Sequence, residues 1–472
     1  MEIDEFRRQA HRLVDWMADY LENVETYPVM SQVKPGEIAE KLPTSPPLNP
    51  EPFDEIFADF EKIVLPGITH WQHPCFFAYF PANSSPPSVL AEMLTATLGA
   101  QCMIWQTSPA ATEMEERVME WLRDMIGLPS GFVGVIQDTA STSTLCSILS
   151  ARERASEFCT NSTGLSQTRE MTAYCSEETH SSVEKGVRIA GIGSDNLRKI
   201  PVDENYAMVP DELERAIKRD MAAGKLPVHV TATIGTTGST AIDPLKEIGK
   251  ICRKYGVWLH VDAALAGTAL ILPEYRWMID GIEYVDSFVF NPHKWMFTNF
   301  DCSAFFVKDP ETLIKTFQIT PEYLRTAQDR RVKNFRDWGI QLGRRFRALK
   351  LWFVIRSYGV QGLQRMIRSH LEIARDLAGW IDESEDFELL APVPLNTVCF
   401  RYHPPHISDE TDLNRVNADL MNTLNRTGRL YLTHTTLRGR YTLRLVVGQT
   451  YVTRRHVEEA WRLIDSTARS LA

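Results

Sequence analysis

The sequence has few features of a secreted protein. Its 472 residues include only eight cysteines, and no two of them have CxxC spacing. This excludes a disulfide framework and a cysteine-based zinc site, and it favours a reducing cytosol. Residues 1–5 lack the basic and apolar segments of a secretory signal, so we expect a cytoplasmic protein. The glycosylation-type tripeptides at Asn83, Asn161 and Asn425 are therefore interpreted as chance matches.

Long apolar runs and an excess of positive charge are also absent. The most apolar stretch, residues 257–272, contains His260 and Asp262 and is too short to cross a bilayer. With 51 Lys and Arg against 61 Asp and Glu, the formal net charge is −10, which disfavours a nucleic-acid binder. Walker A, HExxH and GxSxG motifs are missing. We expect no nucleic-acid, membrane or metal partner.

The chain is predicted to have three parts. Residues 1–85 combine an amphipathic helix over residues 3–23 with a proline-rich extended arm over residues 34–52, and should pack on something larger. Residues 86–365 alternate short apolar runs with helical patterns, which predicts an α/β fold with a mostly parallel sheet. Residues 366–472 predict a smaller α+β unit. Predicted strands of the middle part are Val133–Ile136, Thr172–Cys175, Val228–Ile234, Val257–Val261 and Ser287–Phe290.

The most informative residue is Lys294, in the segment Asn291-Pro-His-Lys-Trp295 that follows a predicted strand. Lysine is rarely buried unless its amine is paired or used. Ligands of α/β sheets bind at the carboxyl ends of the strands, and a desolvated lysine amine suits Schiff-base chemistry. The common alternative is a lysine on the protein surface, but the apolar residues on either side of Lys294 argue against it.

A second segment, Trp258–Ala264, predicts a strand that carries His260 and Asp262 on one face. A carboxylate at the end of a central strand needs a cationic partner. The protonated ring nitrogen of pyridoxal phosphate would be such a partner, and enzymes that use this cofactor place an acid there. Taken singly, Asp262 could be a helix cap and His260 a satisfied core histidine.

The third segment, Gln137–Thr144, follows a predicted strand and opens a helix with small hydroxyl residues. Such a helix start leaves backbone N–H groups free to bind a phosphate. An ordinary N-cap is the alternative. In a chain that also carries the other two segments, a phosphate cradle is the favoured interpretation.

Together these segments resemble the group II pyridoxal-phosphate decarboxylases, closest to the aromatic L-amino acid decarboxylases. The resemblance covers nearly the whole chain. It implies the aspartate-aminotransferase-like fold (fold type I). It also implies an obligate homodimer in which the active site lies at the interface and the N-terminal segment packs on the partner subunit. The matching motifs are His73–Pro81, Ser108–Glu113, Thr179–Val183, Trp258–Ala264, Asn291–Trp295 and Leu342–Arg347.

The resemblance also implies roles for individual residues. Lys294 would bond covalently to the cofactor, and Asp262 would pair with its ring nitrogen. His180 and Ala264 would lie on opposite ring faces, and Thr237 near the cofactor. The phosphate would lie among Ala140, Ser141, Asn291 and His293.

The reaction would depend on Tyr323, which in the family protonates the substrate carbon after CO₂ leaves. Aldehyde synthases of the same family carry Phe there and oxidise the intermediate instead. The tyrosine favours decarboxylation, with an aromatic acetaldehyde synthase as the alternative.

The implied substrate slot is aromatic, with departures from animal enzymes. Ala82 replaces a Thr close to the substrate carboxylate, Met103 replaces Phe, and Pro86 replaces Tyr. Because of these changes, a non-aromatic amino acid remains an alternative substrate. Gly343 matches indole-preferring plant relatives, so tryptophan is favoured over phenylalanine, tyrosine and dihydroxyphenylalanine. The wall residues are Trp71, Tyr79, Phe80 and Pro81.

Overall fold

The computed structural model describes residues 1–319 and 331–471, and the chain divides into two units. The large unit comprises Ala82–Leu371 and Ala391–Leu395. The small unit comprises Met1–Pro81, Glu372–Leu390 and Asn396–Ala472. The three-part division at residues 85 and 365 stays a prediction.

The small unit contains helices and a four-stranded antiparallel sheet. Its N-terminal helices are α1 (Ile3–Glu22), α2 (Glu37–Lys41) and α3 (Phe53–Asp59), so the predicted extended arm includes a short helix. The sheet has the strand order β10-β11-β9-β8. Its strands are β8 (Phe387–Leu389), β9 (Thr397–Tyr402), β10 (Thr433–Leu437) and β11 (Arg440–Val446), and its C-terminal helices are α14 (Glu410–Arg426) and α15 (Arg454–Leu471).

The large unit is built on a seven-stranded sheet. Its strands are β1 (Val133–Gln137), β2 (Met171–Ser176), β3 (Leu197–Ile200), β4 (Leu226–Thr233), β5 (Trp258–Asp262), β6 (Ser287–Phe290) and β7 (Ser303–Val307). Their order in the sheet is β1-β7-β6-β5-β4-β2-β3. Within this sheet only β7 runs antiparallel to its neighbours, which confirms the mostly parallel sheet predicted from the sequence.

Helices of the large unit have ordinary start and stop signals. Pro86 and Pro87 occupy the first turn of α4 (Pro86–Leu98), and Gly256 ends α10 (Leu245–Tyr255) in the left-handed conformation. Helix α13 (Arg347–Asp382) begins in the large unit and continues past Leu371 into residues of the small unit, and it is broken at Gly359, whose φ is 63°. The others are α4 (Pro86–Leu98), α5 (Pro109–Met125), α6 (Ala140–Ala155), α7 (Thr160–Thr163), α8 (Ser182–Ile189), α9 (Pro210–Ala222), α10 (Leu245–Tyr255), α11 (Pro292–Trp295) and α12 (Pro310–Phe317).

Helix α6 packs across the sheet through buried hydroxyl groups as well as apolar side chains. Thr144 Oγ1 lies 3.3 Å from His260 Nε2, and Ser147 Oγ lies 2.9 Å from Ser287 Oγ. Ser287 Oγ also accepts from Trp258 Nε1 at 2.9 Å and lies 2.9 Å from His260 Nδ1. Because α6 is bonded to both β5 and β6, its N-terminus is fixed at one edge of the sheet.

We expect Ser287→Ala to destabilise the protein by about 2–3 kcal/mol, because it leaves Trp258, His260 and Ser147 without a shared buried partner. Thermal or urea unfolding measures the loss. Ser150→Ala on α6 is the matched control: the Ser150 hydroxyl is buried without a hydrogen-bond partner among the described residues. Its removal should change stability by less than about 0.5 kcal/mol. Equal losses in both variants would contradict this role of Ser287.

Candidate active site

Five segments that carry predicted site residues leave the same edge of the large sheet. Strands β1 and β6 are both antiparallel to β7, and β6 is parallel to β5, so these strands point the same way. Strands β4 and β2 continue the parallel arrangement. The carboxyl ends of the five strands therefore lie along one edge, where α/β sheets bind ligands. The predicted residues at or after these strand ends are Ala140 and Ser141 (β1), His180 (β2), Thr237 (β4), Asp262 (β5) and Lys294 (β6).

Lys294 lies in α11, a single turn that begins directly after β6. Its neighbours His293 and Trp295 are buried, and Lys294 itself is only partly exposed. Desolvation by burial lowers the pKa of the Lys294 amine, and the nearby Asp262 carboxylate opposes this by favouring the charged form. A neutral, nucleophilic amine is thus populated at a lower pH than in a solvated lysine.

Asp262 is the last residue of β5, the strand next to β6. Its side chain is buried, at 5% relative exposure. Its Oδ1 accepts a hydrogen bond from the backbone N–H of Ala264 at 3.0 Å, which fixes the carboxylate above the strand end. Ala264 itself is partly buried two residues further on.

His180 follows β2 and belongs electrostatically to the same group. The Ser182 backbone N–H donates to His180 Nδ1 at 3.2 Å. Desolvation lowers the pKa of His180, the Asp262 carboxylate raises it, and the Lys294 amine lowers it. The pKa effects show that Lys294, Asp262 and His180 are within electrostatic reach of one another. The imidazole is neutral at neutral pH and suited to contact a ring face.

The start of α6 offers backbone donors for an anion, and a buried amide side chain, Asn291, precedes α11. Thr139 caps α6 by accepting from the Thr142 N–H, and the first-turn N–H groups at Ala140 and Ser141 have no partner within the helix. The Oδ1 atom of Asn291 is buried with no hydrogen-bond partner among the described residues. An amide oxygen only accepts, so toward a phosphate Asn291 would use its Nδ2 donor, and the unsatisfied Oδ1 is open to a donor of a bound group.

His293 contributes a neutral imidazole beside this amide. Its Nδ1 accepts from the Cys302 N–H at 2.8 Å, which leaves the proton on Nε2. Burial is the main cause that lowers the pKa of His293 to about 3. Thr237 is half-buried in the turn after β4.

This set of groups fits pyridoxal phosphate. An amine and a carboxylate lie at the ends of the neighbouring strands β6 and β5, and a neutral ring follows β2. The N-terminus of α6, with donors free for a phosphate, follows β1. In residues 1–319 and 331–471 there is no group of three His, Cys, Asp or Glu side chains arranged to hold a metal ion.

Four predicted wall residues lie in the small unit and form an aromatic surface there. The Trp71 and Tyr79 rings stack with centroids 5.9 Å apart and an interplanar angle of 17°. Both rings are partly exposed, whereas Phe80 and Pro81 are buried. The Arg444 guanidinium lies over the Phe80 ring, 5.6 Å from its centroid.

Sequence reasoning missed Tyr431, which completes this surface. Its hydroxyl lies 3.3 Å from that of Tyr79, and its ring packs edge-on against Phe76 and Tyr79. Burial raises the pKa of Tyr431 to about 12. No local sequence pattern identifies Tyr431, because it lies more than 350 residues from Tyr79 along the chain.

The remaining predicted substrate residues lie in the large unit. The backbone carbonyl of Met103 accepts from the Arg336 N–H at 2.9 Å. The carbonyl of Arg344, which follows the exposed Gly343, accepts from the Cys102 N–H at 2.9 Å. The structure thus brings the Met103 and Gly343 segments side by side. Ala82 is half-buried at the start of the unit, and Tyr323 lies outside the described residues.

Comparison with known proteins agrees with this geometry. Residues 35–403 match the family model described as the pyridoxal-dependent decarboxylase conserved domain. Tryptophan decarboxylase 2 of Oryza sativa subsp. japonica is 43% identical over 478 residues, covering 99% of this chain and 95% of that protein. Phenylacetaldehyde synthase of Arabidopsis thaliana is 42% identical over 478 residues, covering 99% and 96%.

Solved structures give the same result for the fold. The crystal structure of Oryza sativa TDC with PLP and tryptamine superposes with a TM-score of 0.97 at 37% identity, covering 100% of this chain and 99% of that one. This confirms the fold type I architecture, and the family match confirms pyridoxal phosphate as the cofactor. The chain belongs to the pyridoxal-dependent decarboxylase family.

Proposed function

We propose that the protein decarboxylates an aromatic L-amino acid, preferentially tryptophan, to the arylalkylamine and CO₂. The observation that carries the proposal is the placement of Lys294, Asp262 and His180 at one edge of the sheet, at the carboxyl ends of the parallel strands β6, β5 and β2. The stacked Trp71 and Tyr79 rings support an aromatic substrate. The relatives include both decarboxylases and an aldehyde synthase, and the tyrosine at position 323 favours the decarboxylase.

Each polar group would have a separate task. Bound pyridoxal phosphate supplies an aromatic ring that accepts electrons from the bond that breaks. Lys294 would hold the cofactor covalently through its amine, and Asp262 would keep a proton on the ring nitrogen. His180 and Ala264 would enclose the ring and exclude water. The phosphate would be held by Ala140, Ser141, Asn291 and His293, with Thr237 close to the cofactor.

The substrate would be held by apolar and aromatic contacts. Trp71, Tyr79, Phe80 and Pro81 would contact its ring, together with Met103, and Gly343 would leave room for an indole. Ala82 offers no hydroxyl to the substrate carboxylate. A poorly solvated carboxylate is lost more readily as neutral CO₂. Tyr323 would deliver a proton to the substrate Cα, a role that rests on the sequence alone.

We also propose that the chain acts as a cytoplasmic homodimer with its active site at the interface. In support, the start of α1 leaves Ile3 and Phe6 exposed at 69% and 54%, an apolar surface suited to a second subunit. All eight cysteines are free thiols, as in a reducing compartment. None of the described helices has the length and apolar character needed to traverse a bilayer.

A substrate panel tests the reaction. Purified holoenzyme is given L-tryptophan, L-phenylalanine, L-tyrosine, L-dihydroxyphenylalanine and L-glutamate, and amine, CO₂ and hydrogen peroxide are measured together. We expect equal amounts of amine and CO₂ without peroxide, tryptophan fastest and glutamate inert, because an aromatic wall offers nothing to a second carboxylate. Peroxide and aldehyde equal to CO₂ would instead identify an aldehyde synthase, and turnover of glutamate would remove the aromatic assignment.

The pH dependence of cofactor capture tests Lys294. Only the neutral amine attacks an aldehyde, and burial lowers the pKa of Lys294. The rate at which apoenzyme captures pyridoxal phosphate, followed by absorbance, should therefore rise with pH and level off below the ordinary lysine value of about 10.4. Lys294→Ala is the control and should show no saturable capture. A midpoint at the ordinary value would mean that the amine is fully solvated.

Sedimentation tests the dimer. The wild-type chain should sediment with twice the mass of one chain, and Ile3→Glu combined with Phe6→Glu should shift it toward monomer, because two charges cannot be buried in an apolar contact without a partner. Ile189→Glu is the control, since Ile189 is also exposed, at 62%, but lies on α8 of the large unit. A monomeric wild type would overturn the dimer, and a double variant that stays dimeric would exclude α1 from the interface.

A further inference from the structure

Asn83 connects the segment before α4 to the turn that carries Lys294. Its backbone N–H donates to the His293 carbonyl at 3.1 Å, and its side-chain Nδ2 donates to the Lys294 carbonyl at 2.8 Å. The residue is 1% exposed. One buried residue therefore holds the backbone of two consecutive residues, through its own N–H at His293 and through its side chain at Lys294, which carries the reactive amine. A buried and occupied amide is also unsuited to glycosylation, as the sequence predicted.

Helix α11 needs outside donors for these carbonyls. It has only four residues, and the last four carbonyls of any helix have no partner within it. Its own bonds run from the Lys294 N–H to the Asn291 carbonyl at 2.9 Å and from the Met296 N–H to the Pro292 carbonyl at 3.1 Å. The carbonyls of residues 293 and 294 accept from Asn83 instead. Without that side chain, the Lys294 carbonyl would lose a buried hydrogen bond.

The contact continues past Lys294. Ser85 Oγ donates to the Phe297 carbonyl at 2.7 Å, and the Asn299 N–H donates to Ser88 Oγ at 2.8 Å. Phe297 has a φ of 54°, in the left-handed region that bulky residues rarely adopt. Residues 83–88 thus run along residues 293–299 and hold a strained backbone next to the lysine.

We propose that Asn83 is a positioning residue for Lys294. The Lys294 N–H is bonded to the Asn291 carbonyl, and the Lys294 carbonyl is bonded to Asn83. With its backbone held at both ends, the residue keeps its side chain directed toward Asp262, and the amine has little freedom to move away. Ser85 and Ser88 hold the following residues and contribute to stability without touching the lysine backbone. The inference rests on the proposed covalent role of Lys294. It adds Asn83, which immediately follows the predicted substrate residue Ala82, to the residues that shape the active site.

We expect Asn83→Ala to slow capture of pyridoxal phosphate by apoenzyme about tenfold, the ratio that corresponds to one lost hydrogen bond of about 1.4 kcal/mol. Stopped-flow absorbance measures the rate, and thermal unfolding of the same apoenzyme measures stability. Ser85→Ala is the matched control, because it removes one hydrogen bond of the same segment three residues beyond Lys294. It should lower the thermal midpoint to a similar extent and leave the capture rate within about twofold.

Asn83→Asp provides a second, nearly isosteric variant in case Asn83→Ala does not fold. At high pH its carboxylate faces the Lys294 carbonyl and cannot donate. We expect slow capture there and a rate relative to wild type that recovers as the pH falls and the introduced carboxyl is protonated, a rescue that a purely structural role would not produce.

The outcomes separate this inference from the proposed function. Wild-type capture rates in the Asn83 variants, or equal slowing in Ser85→Ala, would overturn the positioning role alone. If wild-type apoenzyme does not capture the cofactor, or Lys294→Ala captures it equally well, the assignment of Lys294 itself fails.

Discussion

A lysine amine that is removed from water but kept beside a carboxylate is the interaction on which the active site depends. Burial disfavours the charged form of the Lys294 amine and lowers its pKa, whereas the nearby Asp262 carboxylate favours the charged form. The two effects oppose each other, so the amine remains able to change its protonation state. The parallel pairing of β5 with β6 brings the two groups to the same edge of the sheet, because Asp262 ends β5 and Lys294 follows β6.

The sheet order follows from the same requirement. Strand β7 lies between β1 and β6 and runs against both, which leaves β1 pointing the same way as β6. The helix after β1 can therefore bring its N-terminus to the edge where Lys294 and Asp262 emerge. Buried hydroxyls on α6 hold it there through His260 and Ser287. Burial lowers the pKa of His260 to about 4, so its ring is neutral. It forms hydrogen bonds with Thr144 and Ser287 without placing a second charge next to Asp262.

The strands that position Asp262 and Lys294, β5 and β6, could be predicted from the sequence. Strand β6 has the predicted bounds, and β5 differs from its prediction by one residue at each end, because buried parallel strands are continuous apolar runs that any local pattern detects. Strands β3 and β7 were not predicted, since their positions depend on pairing between distant segments. The same reason hides Tyr431 and Asn83. A tripeptide containing Asn83 looks like a glycosylation motif, and only the path of the chain shows which carbonyls it meets.

The aromatic surface of the small unit shows how such distant pairing acts on a functional residue. Tyr79 has a φ of 53°, a conformation that costs a non-glycine residue about 1–2 kcal/mol. Its N–H donates to Thr433 Oγ1 at 3.2 Å, and residues 75–77 exchange backbone hydrogen bonds with Tyr431. These contacts hold the strained residue in place and turn its ring onto Trp71. Strain maintained at this position favours a preformed aromatic surface, because a ring held by its backbone need not be ordered again each time a substrate binds.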